Sequence, residues 1–126
     1  MAVDRIVLID DDTEDHEIFK SALAIVSGKT SCVTFTDARF ALDQLRNGKL
    51  IPDMIFLDLN MPGMTGHEFL AELKKSEAVR HIPVLIYSTS SHPATVKLTR
   101  EMGAADFITK PDRFDTLVDI LTPIIN

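Results

Sequence analysis

The chain has 126 residues, 45% of them hydrophobic and 25% charged, which is one domain's worth of sequence with a full core and too little for two ordinary domains. Thirteen basic residues against nineteen acidic ones leave a net charge of −6, which argues against nucleic acid as the direct ligand. No apolar run approaches the roughly 18 to 20 residues that span a bilayer, and the single cysteine, Cys32, excludes an internal disulfide and a multi-cysteine metal site.

The first predicted strand is Arg5–Ile9, with Asp10-Asp11-Asp12 directly behind it. Seven of the nineteen carboxylates fall in the first seventeen residues. A run of that kind is usually a solvated face, but three of these acids follow a strand. Ile18, Phe19, Ala22, Leu23 and Val26 then form a helical stripe that stops at Ser27-Gly28. Ser31–Phe35 alternates, as an edge strand does, and Thr36-Asp37 suits a cap for the next helix, striped by Ala38, Ala41, Leu42 and Leu45 and ended by Asn47-Gly48. Asp53–Leu57 is a third, nearly continuous apolar strand, followed by Asp58 and the loop Leu59-Asn60-Met61-Pro62-Gly63. Thr65-Gly-His-Glu68 is a capping box opening a helix with Phe69, Leu70 and Leu73 on its inner face. Ile82–Tyr87 is the fourth strand and runs into Ser88-Thr89-Ser90-Ser91. The helix around Val96, Leu98 and Met102 has the weakest stripe. Ala105–Thr109, a second edge candidate, precedes Lys110-Pro111, and the last helix carries Phe114, Leu117, Val118, Leu121, Ile124 and Ile125, with Pro123 disturbing its final turn. Five strands alternating with five helices predict one α/β domain over residues 1–126, a doubly wound parallel sheet with helices on both faces and no residues left for an output domain.

Open parallel sheets bind ligands beyond the carboxyl ends of their strands. Those ends carry Asp10, Asp11 and Asp12, then Asp58, then Ser88, then Lys110. Carboxylates with open water positions suit a hard octahedral cation such as Mg²⁺. A carboxylate can also act as a nucleophile toward phosphorus, with a metal, a lysine and a hydroxyl offsetting the charge of the transferring group. Any one strand-end aspartate is as readily a helix cap; the ordered set is not.

These residues resemble the receiver domain of two-component response regulators, the phosphoacceptor half of a histidine–aspartate relay. The likeness covers about residues 4 to 122. It rests on Asp10-Asp11, Asp58, Ser88 and Lys110-Pro111, spaced by 48, 30 and 22 residues, and on Asp58-Leu-Asn-Met-Pro-Gly-Met-Thr-Gly66, which is very similar to the family's acceptor loop. The loop, the Ser-Thr-Ser segment and the short C-terminus look most like stand-alone receivers, including those paired with bacterial phytochrome-type kinases. The resemblance implies a CheY-like fold with strand order 2-1-3-4-5. It implies that Asp58 accepts a phosphoryl group from a phosphohistidine, and that Asp10, Asp11, Asp58 and the carbonyl of Asn60 hold Mg²⁺. Ser88 and Lys110 would bind the phosphoryl group, Phe107 would be the switch aromatic, and the Lys110-Pro111 bond would be cis. The implied partner is a sensor histidine kinase or a histidine phosphotransfer protein. The signal would leave through a downstream protein, a homodimer or onward transfer, by way of the fourth helix, fifth strand and fifth helix. No enzymatic activity beyond self-phosphorylation and self-dephosphorylation, no nucleic acid, no membrane and a cytoplasmic location are expected.

Some features depart from that pattern. Asp12 makes a triplet where the family needs a pair, so the metal pair could shift by one residue, although Asp12 suits a helix approach. Thr89 is bulkier than the family's usual Ala or Gly and would narrow access to the acceptor, while Asn60 and Ser90 lie where phosphate lifetime is tuned. His16 and His67 are predicted at exposed helix positions and His81 and His92 in turns just ahead of prolines, with no metal-pair spacing. Cys32 reads as a small buried apolar residue. Three alternatives stay open: a degenerate receiver that is only an interaction module, an aspartyl-phosphate phosphatase, and a small-ligand binder of flavodoxin type. The phosphatase pattern wants an acid where Asn60 stands, and an acidic rim with no Trp does not suit an anionic flavin phosphate.

Overall fold

The computed structural model describes residues 3–126. Its elements are β1 (Arg5–Ile9), α1 (Thr13–Val26), β2 (Ser31–Phe35), α2 (Ala38–Arg46), β3 (Met54–Leu57), α3 (Gly66–Lys75), β4 (Val84–Ser88), α4 (Pro93–Glu101), β5 (Asp106–Thr109) and α5 (Phe114–Ile125). The five strands form one parallel sheet in the order β2-β1-β3-β4-β5. This is the strand order and doubly wound architecture expected from the sequence.

Because side chains alternate along a strand, the central strands supply two cores at once. Val7, Ile9, Ile55, Leu57, Val84 and Ile86 face one layer with Ala41, Leu42, Leu45, Phe69, Leu70 and Leu73 of α2 and α3. Ile6, Leu8, Phe56, Leu85, Tyr87 and Ile108 face the other, with Phe19, Ala22, Leu23, Leu117 and Leu121 of α1 and α5. Burial on both faces explains why β1, β3 and β4 read as continuous apolar runs. Cys32 on the edge strand is half-buried, and burial pushes its thiol up to about 11.

The helix starts follow the side chains at hand. Asp12 accepts from Glu14 N and Asp15 N, Asp37 accepts from Arg39 N and Phe40 N, and the Thr65–Glu68 box closes reciprocally.

Four local expectations are corrected. β3 begins at Met54, because Asp53 turns back and its Oδ2 accepts from Asp4 N and Arg5 N. β4 is shifted toward its carboxyl end and includes Ser88, since Ile82-Pro83 lies before its first ladder pair. On α4 the buried position is Thr99, not Leu98, which is 47% exposed; the Thr99 hydroxyl is satisfied by the carbonyls of Thr95 and Val96. His16 is not an exposed helix residue. It is 5% exposed, on the same face as Phe19 and Leu23, with Nε2 2.6 Å from the carbonyl oxygen of Asp10. A carbonyl only accepts, so Nε2 carries the proton.

Candidate functional site

Parallel-ladder bonds continue past the strand ends and set the backbone of the rim. Asp10 N donates to Phe35 O at 3.0 Å, Asp58 N to Ile9 O at 2.9 Å and Lys110 N to Ser88 O at 2.8 Å. The first residue beyond each of β1, β3 and β5 is thereby held at the carboxyl edge, where all three side chains emerge on one rim. Asp10 is fully buried, Asp58 nearly so, and Asp11 is exposed. Carboxylate oxygens of these three lie within 4.8 Å of one another. Asp12 points away from that group into its capping role on α1, while its N–H donates to Asp10 Oδ1 at 3.0 Å.

Lys110 closes the cluster. Its Nζ is 2.6 Å from Asp10 Oδ2, 2.7 Å from Asp15 Oδ2 and 3.8 Å from Asp58 Oδ2, and it stands 5.4 Å from the centre of the Tyr87 ring. Burial works against the Lys110 charge, but the hydrogen bonds to Asp10 and Asp15 outweigh it and hold the ammonium above the usual lysine range. Asp58 is also held above its ordinary range, that of a free carboxylate. Burial raises it, the Lys110 charge opposes the rise, Asp10 adds to it, and the backbone N–H groups of Asn60 and Leu59 lower it again. Burial also pushes the Tyr87 phenol up to about 12.

The remaining expected site residues sit as follows. Asn60 is exposed and its N–H lies 3.4 Å from Asp58 Oδ1. Ser88 is fully buried, and its Oγ has no hydrogen-bond partner among the described residues. Thr89, directly after it, is exposed, and Phe107 is half-buried against the α2–α3 core layer. The expected cis bond before Pro111 is not present: among the described residues no peptide bond is cis. Trans is the default for such bonds by about 0.5–1 kcal/mol, and Lys110 keeps its ladder bond to Ser88 with the following bond trans.

Sequence reasoning placed Asp15 only within the acidic run and missed that it shares Lys110. The usable signal was its place in the first turn of the helix that begins at the rim. It also missed His16, although spacings of three to Phe19 and seven to Leu23 put that residue on the inner face.

The donor set fits a hard cation: three carboxylates converge, no thiolate is present, and the exposure of Asp11 leaves room for water ligands. The Ser88 hydroxyl, buried and without a partner among the described residues, suits an oxyanion, since a buried hydroxyl without a partner is costly.

The model of the response regulator receiver domain matches residues 6–122. The two-component response regulator ORR6 of Oryza sativa subsp. japonica is 37% identical over 86% of this chain. The chain spans 64%, 28% and 55% of the lengths of three curated relatives that it matches. Among solved structures, the phosphorylated cyanobacterial phytochrome response regulator RcpA is 31% identical, with a TM-score of 0.87 over 98% of this chain and 91% of its own. The Mn²⁺-bound form of response regulator Rcp1 is 25% identical, with a TM-score of 0.85 over 96% and 91%. With matching residues along nearly its whole length and the acidic cluster, hydroxyl and lysine on one rim, the chain belongs to the response regulator receiver family.

Proposed function

We propose that the chain is a phosphorylation-switched signalling protein of a two-component relay, with Asp58 as its phosphoacceptor. The observation that carries this is the Asp58 carboxylate gathered with Asp10 and Asp11 within 4.8 Å, with Lys110 beside it. The donor is a phosphohistidine on a sensor histidine kinase or a histidine phosphotransfer protein. An oxygen of Asp58 attacks the phosphorus; a P–O bond forms as the P–N bond breaks. The electron pair passes to the donor imidazole nitrogen, which takes a proton from solvent.

Asp10, Asp11, Asp58 and the Asn60 carbonyl would hold Mg²⁺, which when bound neutralises charge on the transferring group. Lys110 pairs with the phosphoryl oxygens and Ser88 donates its hydroxyl to one of them. Thr89, exposed directly after Ser88, would narrow the access of a phosphodonor or a phosphatase to Asp58. Phosphorylation favours the arrangement in which Ser88 and Lys110 engage the phosphoryl group, and Phe107 fills the space that Ser88 leaves. The surface that changes is α4–β5–α5, where α4 has Thr99 as its buried residue and is held to the sheet by few side chains. Output passes to a downstream protein in the cytoplasm, to a second copy, or onward as phosphate, and the chain transforms no other substrate.

Incubation with a small acyl-phosphate donor, with and without Mg²⁺, tests this by intact mass. A metal-dependent phosphoryl adduct is expected in the wild type and its loss in Asp58→Asn. No adduct despite Mg²⁺ binding would leave a receiver that is only an interaction module, and an adduct that survives in Asp58→Asn would move the nucleophile elsewhere.

A further inference from the structure

Two carboxylates hold Lys110, and one of them, Asp15, lies outside the phosphoryl-transfer set. Asp15 lies in the first turn of α1, where its N–H reaches the capping carboxylate of Asp12. Its own Oδ2 accepts from Lys110 Nζ at 2.7 Å, next to the 2.6 Å bond to Asp10, while Asp58 Oδ2 stands at 3.8 Å, outside hydrogen-bond range. An ammonium has three donors. Two of them are directed to Asp10 and Asp15, with the Tyr87 ring beside the amine.

These two partners are not equivalent. Asp10 belongs to the group of carboxylates that can gather on a cation, and Asp15 lies outside it. A cation on Asp10 would loosen its hold on Lys110, and Asp15 would keep its own. The contact is also not a screened surface pair, since the Lys110 side chain is 10% exposed and that of Asp15 27%. We propose that Asp15 is a positioning residue that draws Lys110 away from Asp58, and so sets how much phosphodonor is needed to populate the phosphorylated form. This rests on Asp58 being the acceptor.

Asp15→Asn keeps the shape of the side chain and removes its charge. The phosphodonor concentration that gives half-maximal adduct by intact mass should fall about three- to tenfold, the effect of one charge-assisted hydrogen bond discounted for partial exposure. Loss of any carboxylate near the site could favour an anionic donor through space. Glu14→Gln, one residue away, exposed and not bonded to Lys110, controls for this and should leave the midpoint unchanged. In a Lys110→Ala background, Asp15→Asn should no longer matter, because the coupling runs through that contact. Calorimetric melts of each variant confirm that the fold is retained. An unchanged or raised midpoint in Asp15→Asn overturns the proposal. So does an equal fall in Glu14→Gln, or an Asp15 effect that persists without Lys110. No adduct in the wild type would instead overturn Asp58 as acceptor, and this inference with it.

Discussion

Ser88 should be worth more to the fold when its oxygen is removed. The residue ends β4 with no exposed surface, and its Oγ has no partner among the described residues. A buried hydroxyl in that condition costs about 1–3 kcal/mol. Ser88→Ala removes one atom and leaves a gap too small to forfeit more than a fraction of that through lost dispersion contacts. The net gain expected for the unmodified protein is about 1 kcal/mol, which for a domain of this size raises Tm by roughly 3–5 °C. The phosphorylated protein should respond with the opposite sign. There the hydroxyl would bond a charged oxygen, an interaction of about 1.5–3 kcal/mol that Ala cannot make. Scanning calorimetry with and without a small phosphodonor and Mg²⁺, using Asp58→Asn as the blank, separates the two states. Ser88→Ala should start higher and gain less on phosphorylation than wild type. A fall in Tm of the unmodified variant would refute the reasoning, because it would mean that the hydroxyl already has a partner in the resting state.

Two further outcomes follow from the same geometry. Lys110→Met leaves fully buried Asp10 without its cation and should cost about 3 kcal/mol in a urea titration at neutral pH. The Lys110 pKa is raised in the folded state, so its contribution is fully present below about pH 10.4, the ordinary lysine value, and is lost as pH climbs through the folded value. The wild type should therefore lose stability in strong alkali more steeply than Lys110→Met, and parallel curves would count against the pairing. Gly66→Ala should destabilise by about 2–3 kcal/mol or more by overpacking. A Cβ there would meet the Asp58 carbonyl oxygen and lie 2.6 Å from Leu59 Cα, both backbone atoms that cannot step aside. An unchanged urea midpoint would show that α3 can back away from the acceptor loop without cost.

Much of the site was legible because strand ends are. Asp10, Asp58 and Lys110 each follow a recognisable apolar run and Ser88 closes another, and a parallel sheet sends the carboxyl ends of its strands to one rim whatever the details of the loops. The two-sided burial of β1, β3 and β4 was written in their unbroken apolar runs. Asp12 was legible as acid at the approach to a helix because the interaction is local: its carboxylate reaches N–H groups two and three residues ahead. Leu98 was misplaced because apolar character alone does not say which face of a weak stripe turns inward. On α4 a hydroxyl that can bond its own preceding turn took the buried position instead.

By itself, then, the sequence determined the element order, the doubly wound class and the chemistry at the strand ends, since these depend on side-chain period and on residues adjacent in the chain. Only the tertiary structure decided which carboxylates share Lys110, that His16 reaches the Asp10 carbonyl, that Ser88 has no partner among the described residues and that the bond before Pro111 is trans. The physical reason is sequence separation. Asp10 and Asp15 lie 100 and 95 residues from Lys110, and a contact across that distance depends on how α1 packs at the end of the sheet. The place of Asp15 in the first turn of α1 brings it near the rim, but no local pattern records which carboxylates take the Lys110 ammonium.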